Sequence, residues 1–140
     1  PIGIRGIAGA TRANNFGREK NYVSTADDNI CVICQIESVE ACKNVKEIAS
    51  TEGVDLLFIG PGDLSADMGF IKNRNASEVK DMAIKVLREV KECNKLCGIM
   101  VSNISEAKEM LELGFSVIAV TTDLVLLRNA VDEIGQLAKK

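Results

Sequence analysis

Read along Gly53-Val54-Asp55-Leu56-Leu57-Phe58-Ile59-Gly60-Pro61-Gly62-Asp63-Leu64-Ser65, the chain enters and leaves a strand within a few residues. Val54–Ile59 is apolar except for Asp55 and too short for a helix. It halts at Gly60-Pro61-Gly62, so it reads as a buried strand. An acid, Asp63, stands just past the halt. Upstream, Ile30–Ile36 is another β-branched apolar run. It ends Gln35-Ile36-Glu37, again with an acid at its exit. Between the two strands, Val39, Cys42, Val45, Ile48 and Ala49 recur at helical spacing. Ser38 is placed to cap that helix, and Gly53 closes the unit.

The alternation continues downstream. Asp63–Met68 predicts a single turn. Val79, Met82, Ala83, Val86, Leu87 and Val90 predict a helix capped by Ser77. Gly98–Val101 predicts a third strand, and Ser105 opens a helix that uses Ala107, Met110 and Leu111 and closes at Gly114. Phe115–Val120 predicts a fourth strand, and Asp123 caps a last helix reaching about residue 138. Near the start, residues 1–13 read as a loop and 15–29 as one irregular helix. Four β-then-α units with short apolar strands imply an α/β fold whose parallel strands are buried on both faces. Such a series makes a small open sheet or half of an eightfold barrel. Length alone favours the open sheet, since a complete (β/α)₈ barrel takes about 250 residues and this chain has 140.

Composition excludes several kinds of chemistry. The chain has no histidine, which removes Ser-His-Asp and Cys-His nucleophiles, imidazole bases and His-ligated zinc. The net charge is −3, with four Phe, one Tyr and no Trp. Nucleic-acid binding, which needs a basic footprint and stacking aromatics, is therefore not expected. No apolar run approaches the ~20 residues that cross a bilayer, so no membrane segment is expected. Five cysteines remain: Cys31, Cys34, Cys42, Cys93 and Cys97. Cys31 and Cys34 fall on opposite faces of a strand, which argues against a shared metal or a redox pair. A Cys₄ zinc site with Cys93 and Cys97 is the alternative to plain reduced thiols in a cytoplasmic protein.

The chemistry left to this chain lies at the two strand ends. Ligands gather at the C-terminal edge of parallel strands, and neighbouring strands lie ~4.8 Å apart. Glu37 and Asp63 at adjacent ends can therefore share one hard cation. Two carboxylates with the remaining positions open suit Mg²⁺ or Mn²⁺. Gly60 and Gly62 let the backbone approach a ligand, and the Gly62 and Asp63 amides can hold a carboxylate. Taken singly, each acid reads more plainly as a helix-terminus or turn residue.

The segments Cys34-Gln35-Ile36-Glu37, Glu52-Gly53-Val54-Asp55 and Phe58-Ile59-Gly60-Pro61-Gly62-Asp63-Leu64-Ser65 resemble the HpcH/HpaI aldolases. These are class II pyruvate-forming enzymes of the phosphoenolpyruvate/pyruvate-barrel superfamily. Gly3-Ile4-Arg5-Gly6 and Ala119-Val120-Thr121-Thr122-Asp123 are similar to further family segments, in the same order. The resemblance implies the C-terminal half of a TIM-type barrel, strands five to eight. Residues 1–140 would then be a single partial-barrel domain of a longer chain. It implies Glu37 and Asp63 as metal ligands for Mg²⁺, Mn²⁺ or Co²⁺, Gln35 as a polar neighbour, and the Gly62 and Asp63 amides as holders of the pyruvate carboxylate. The implied reaction cleaves a 4-hydroxy-2-oxo acid to pyruvate and an aldehyde. A catalytic His and a pyruvate-contacting Arg would come from the other half, and the assembly would be a homo-oligomer, trimer or hexamer.

Two departures stand out. Thr121-Thr122 replaces a more usual Gly-containing pair, and Gly62 stands where Ala is common. Arg5 and Arg12 would border the site rim, as salt-bridge residues or against an anionic substrate tail. Asp67 and Met68, after the acidic loop, read as structural. Two other functions stay open at this point. One is a CoA-ester lyase of the citrate-lyase-β type, for which only Arg5 and Arg12 are candidate phosphate partners. The other is a non-catalytic truncated barrel.

Overall fold

The structure, a computed structural model, describes residues 3–4 and 6–137. Pro1, Ile2 and Arg5 therefore lie outside the described residues, as does the expected end of the last helix at residue 138. The chain divides into two compact units, Pro1–Cys31 and Val32–Lys140.

The first unit replaces the single irregular helix expected over 15–29 with three short pieces. These are a 3₁₀ segment at Arg12–Gly17, helix α1 (Tyr22–Thr25) and a 3₁₀ turn at Asp27–Asn29. The buried Asn14 sets the first of them. Its amide nitrogen donates to the Gly9 carbonyl at 2.9 Å, and its Oδ1 accepts from Thr11 N at 2.9 Å and Gly17 N at 3.0 Å. Asn15 and Phe16 follow at φ 51° and 57°, a left-handed pair that no regular helix tolerates.

The second unit is a run of β/α pairs. Strand β1 (Ile33–Ile36) leads into α2 (Val39–Lys43) and α3 (Val45–Ser50). Strand β2 (Leu56–Ile59) leads into α4 (Pro61–Asp67) and α5 (Ser77–Glu92). Strand β3 (Leu96–Val101) leads into α6 (Ile104–Leu113), and β4 (Val117–Val120) into α7 (Asp123–Leu137). All pairings are parallel, and the strand order β1-β2-β3-β4 is the sequence order. A doubly wound sheet would reverse its strand order at a switch point. Steady succession is the winding of a TIM-type barrel, here four of its eight strands.

The helix over 39–49 is broken at Asn44 (φ −99°, ψ 13°), yet Cys42, Val45 and Ala49 on either side of the break all stay buried. Strand β1 is shorter than the apolar run Ile30–Ile36, because the paired register begins at Ile33 opposite Leu56. Helix α5 buries Val79, Ala83, Val86, Leu87 and Val90, as its periodicity predicts. Its cap position is Ala76 rather than Ser77, whose hydroxyl donates to Glu78 instead. Asn103, not Ser105, caps α6 and accepts from Glu106 N at 2.9 Å. Gly114 closes it at φ 96°. Asp123 is already helical, and Thr122 Oγ1 accepts from Val125 N at 3.3 Å.

One face of the sheet is packed. Ile36, Leu57, Ile59, Cys97, Ile99 and Val101 form a core with residues of α3, α5 and α6. Side chains alternate across a strand, so Ile33, Gln35, Phe58, Leu96 and Val117 share the opposite face. That face is mostly open: Ile33 is 49%, Leu96 54% and Val117 39% exposed, although Leu56, between Ile33 and Leu96, is buried. The expectation of burial on both faces therefore fails for this chain. Four strands of a barrel leave the lumen side without facing strands to cover it. Helix α7 likewise buries none of its described side chains.

Candidate functional site

The acids expected to act together stand on one edge of the sheet. The register pairs Ile36 with Ile59, and Gly60 N donates to the Ile36 carbonyl at 3.2 Å. Glu37 and Gly60 are thus the first residues past the ends of two neighbouring strands. The half-buried Glu37 carboxylate lies over Gly60. A Cβ added at Gly60 would come within 2.9 Å of Glu37 Oε2 and 3.3 Å of its Cβ. Sequence reading gives Gly60 the task of admitting a ligand. The structure gives it a different one, making room for the Glu37 side chain. Gln35 is exposed two residues back on the same side of β1, and its Nε2 donates to Glu37 Oε2 at 3.2 Å.

Gly60 stands at the N-cap position of α4, with Pro61 as the first helical residue, where proline's fixed φ and missing N–H cost nothing. Gly62 and Asp63 follow in the first turn, where amides lack intrahelical acceptors. A Cβ at Gly62 would meet nothing within 4 Å, so an alanine would fit there without strain. Among the described residues the Asp63 carboxylate accepts no hydrogen bond from the protein. The α4 turn is held from below by Leu64, fully buried, and by Ser65, whose hydroxyl donates to the Gly62 carbonyl at 2.7 Å. The C-terminal residue of α4, Asp67, accepts from Val39 N at 2.7 Å. That tie, across 28 residues of sequence, has no signature in a one-dimensional pattern.

The donor types fit a hard divalent cation: a carboxylate just past β1, steadied by the Gln35 amide, and a second in the first turn of α4. Among the described residues no three His, Cys, Asp or Glu side chains converge, so water or substrate oxygens would have to complete the shell. Arg12 is exposed in the first unit. A crevice of about 260 Å³ lies between α5 and α6 and meets the site loop only at Pro61. Its acids are already engaged: Glu106 takes Ser102 N and Asn103 Nδ2, and Glu109 pairs with Lys80. The five cysteines are free thiols. Burial pushes the Cys97 thiol up to about 12 and raises that of Cys42, so both stay protonated and unreactive near neutral pH.

Comparison with known proteins agrees with this fold. The chain is 42% identical over 136 residues to a 4-hydroxy-2-oxo-heptane-1,7-dioate aldolase of Shigella sonnei, covering 96% of this chain and 52% of that protein. It is 38% identical over 140 residues to a 5-keto-4-deoxy-D-glucarate aldolase of Citrobacter koseri, covering 100% and 54%. The crystal structure of an HpcH/HpaI aldolase/citrate lyase family protein from Burkholderia cenocepacia superimposes with a TM-score of 0.91 at 34% identity. That match covers 100% of this chain and 55% of that one. The chain thus spans about half the length of the curated relatives it matches. The family model described as HpcH/HpaI aldolase/citrate lyase matches residues 2–130, and the chain belongs to that family.

Proposed function

We propose that the complete protein is a divalent-metal-dependent aldolase that cleaves a 4-hydroxy-2-oxo acid to pyruvate and an aldehyde. In this reading the present chain is one partial-barrel domain of it. The observation that carries the reading is the seating of Glu37 on Gly60, with Asp63 one helical turn further along the same exit loop. Family membership and the oxo-acid names of the two relatives support it.

Each residue then has a task. Glu37 and Asp63 provide the two carboxylate oxygens for the cation. Gln35 holds the Glu37 carboxylate through Oε2, which leaves Oε1 for the cation. The Gly62 and Asp63 amides present N–H groups to the carboxylate of the oxo acid. A bound Mg²⁺, Mn²⁺ or Co²⁺ supplies the Lewis acidity that an enolate-forming C–C cleavage requires. With no histidine here, the proton-transferring His comes from the other half of the barrel, as does the pyruvate-contacting Arg. The family resemblance also carries a homo-oligomer, trimer or hexamer.

Glu37→Gln and Asp63→Asn test this in the complete protein. Each should abolish metal-dependent turnover of 4-hydroxy-2-oxo acids. Each should also weaken Mn²⁺ binding by more than the about 10–100-fold that changes to outer partners of a metal site cause. Near-normal turnover in either variant overturns the proposal.

A further inference from the structure

We propose that Asp67 is a positioning residue, which sets the Glu37 carboxylate relative to Asp63 by clipping the loop after β1 to the end of α4. The inference rests on the reading above, in which those two acids share a cation.

Helix α4 carries Asp63 in its first turn and Asp67 as its last residue. The two are four apart and so lie on one face of the helix. Asp67 Oδ2 accepts from the N–H of Val39 at 2.7 Å. Val39 is the first residue of α2 and stands two beyond Glu37. Its N–H is one of those a helix start leaves without an intrahelical acceptor, and a carboxylate there also meets the positive end of the helix dipole. On the other side of Glu37, the Ile36 carbonyl accepts from Gly60 N at 3.2 Å. Glu37 is thus bracketed by two ties, before and after it, to the single segment that bears Asp63. Ser38, between Glu37 and Val39, is fixed as well, because its hydroxyl accepts from Ala41 N at 3.1 Å. Only the Glu37 side chain remains to choose its direction, and Gly60 and Gln35 supply that.

The molecule contains its own control. At the opposite end of the same strand pair, Asp55 Oδ2 accepts from Val32 N, also at 2.7 Å and across 23 residues. Donor, acceptor and strand pair are the same, but this clip is remote from the acids. If Asp67 only stabilises the fold, the two clips should behave alike.

The test uses the complete protein freed of metal and titrated with Mn²⁺ alone, followed by electron paramagnetic resonance well below the melting temperature. Asp67→Ala should weaken Mn²⁺ binding about tenfold. Asp67→Asn, whose side-chain oxygen can still accept from Val39, should bind close to wild type. Asp55→Ala should lower the melting temperature and leave Mn²⁺ affinity unchanged. The inference is overturned if Asp67→Ala binds Mn²⁺ like wild type, if Asp67→Asn is as weak as the alanine variant, or if Asp55→Ala weakens binding equally. Wild-type protein that fails to bind Mn²⁺ would instead overturn the metal-site reading itself, and this inference with it.

Discussion

The C-terminal ends of β1 and β2 differ from those of β3 and β4, although both pairs are followed by acids and short polar loops. Past β1 and β2, the acids are held in place without being used up. Glu37 is steered by Gly60 and Gln35, while Asp63 stands on an anchored turn with no partner among the described residues. Past β3 and β4, the acids are consumed by their own helices. Glu106 accepts from Ser102 N and from Asn103 at the start of α6, and Asp123 accepts from Leu124 N at 2.8 Å. An acid after a strand is therefore no signal in itself. What separates a site from a cap is whether the neighbours fix the carboxylate while leaving at least one of its oxygens free.

The sharpest way to break this contrast is at the glycines. Gly60→Ala places a Cβ 2.9 Å from Glu37 Oε2, closer than real Cβ atoms approach, and 3.3 Å from its Cβ, so the Glu37 carboxylate must shift from its seat. Metal binding and turnover should fall about as far as in Glu37→Gln. Gly62→Ala, two residues on with open space around it, should keep both. It should also gain up to about 1 kcal/mol of stability from the better helix propensity, read by chemical denaturation. Equal damage from the two changes would mean that Glu37 is not held by Gly60.

A smaller effect separates the two aspartates. Asp63→Asn should end turnover with little change in stability, because its carboxylate accepts no hydrogen bond among the described residues and keeps only a first-turn dipole contact. Asp123→Asn should do the reverse. Turnover should stay normal, with stability changed by less than about 1 kcal/mol, since the asparagine oxygen can still accept from Leu124 N. A loss of Mn²⁺ affinity in Asp123→Asn would erase the distinction between the two edges.

Much of this was legible in the sequence, and the gaps have physical causes. Helix faces follow from periodicity: Val79, Ala83, Val86, Leu87 and Val90 mark α5 because only a 3.6-residue repeat brings them to one side. The break at Asn44 is invisible to the same method, since Cys42, Val45 and Ala49 keep one buried face across it. Ile30 reads as strand by composition but lies before the point where β2 offers a partner. Burial on both faces was a wrong expectation, because apolar strands record the environment of a whole barrel and this chain supplies four strands of it. Glu37 and Asp63 were visible as residues at strand exits. The clips at Asp55 and Asp67 were not, because a carboxylate on a distant backbone N–H involves no second side chain and leaves no pattern to find.

The smallest expected effect lies at the β4 exit. Thr121 has φ 61°, a left-handed backbone that costs a β-branched residue about 1–3 kcal/mol. Its N–H is nonetheless tied to the Val101 carbonyl at 2.9 Å, so the sheet ladder holds the residue in that conformation. Glycine adopts this conformation freely but gives back part of the gain through its more flexible unfolded state. Thr121→Gly should therefore stabilise the complete protein by about 1 kcal/mol, a rise of about 2–4 °C in melting temperature, with metal binding unchanged. A fall instead would mean that the threonine side chain makes contacts worth more than the strain it carries. The β3–β4 edge would then hold a device of its own, and the contrast with β1–β2 would be one of kind of function rather than of its presence.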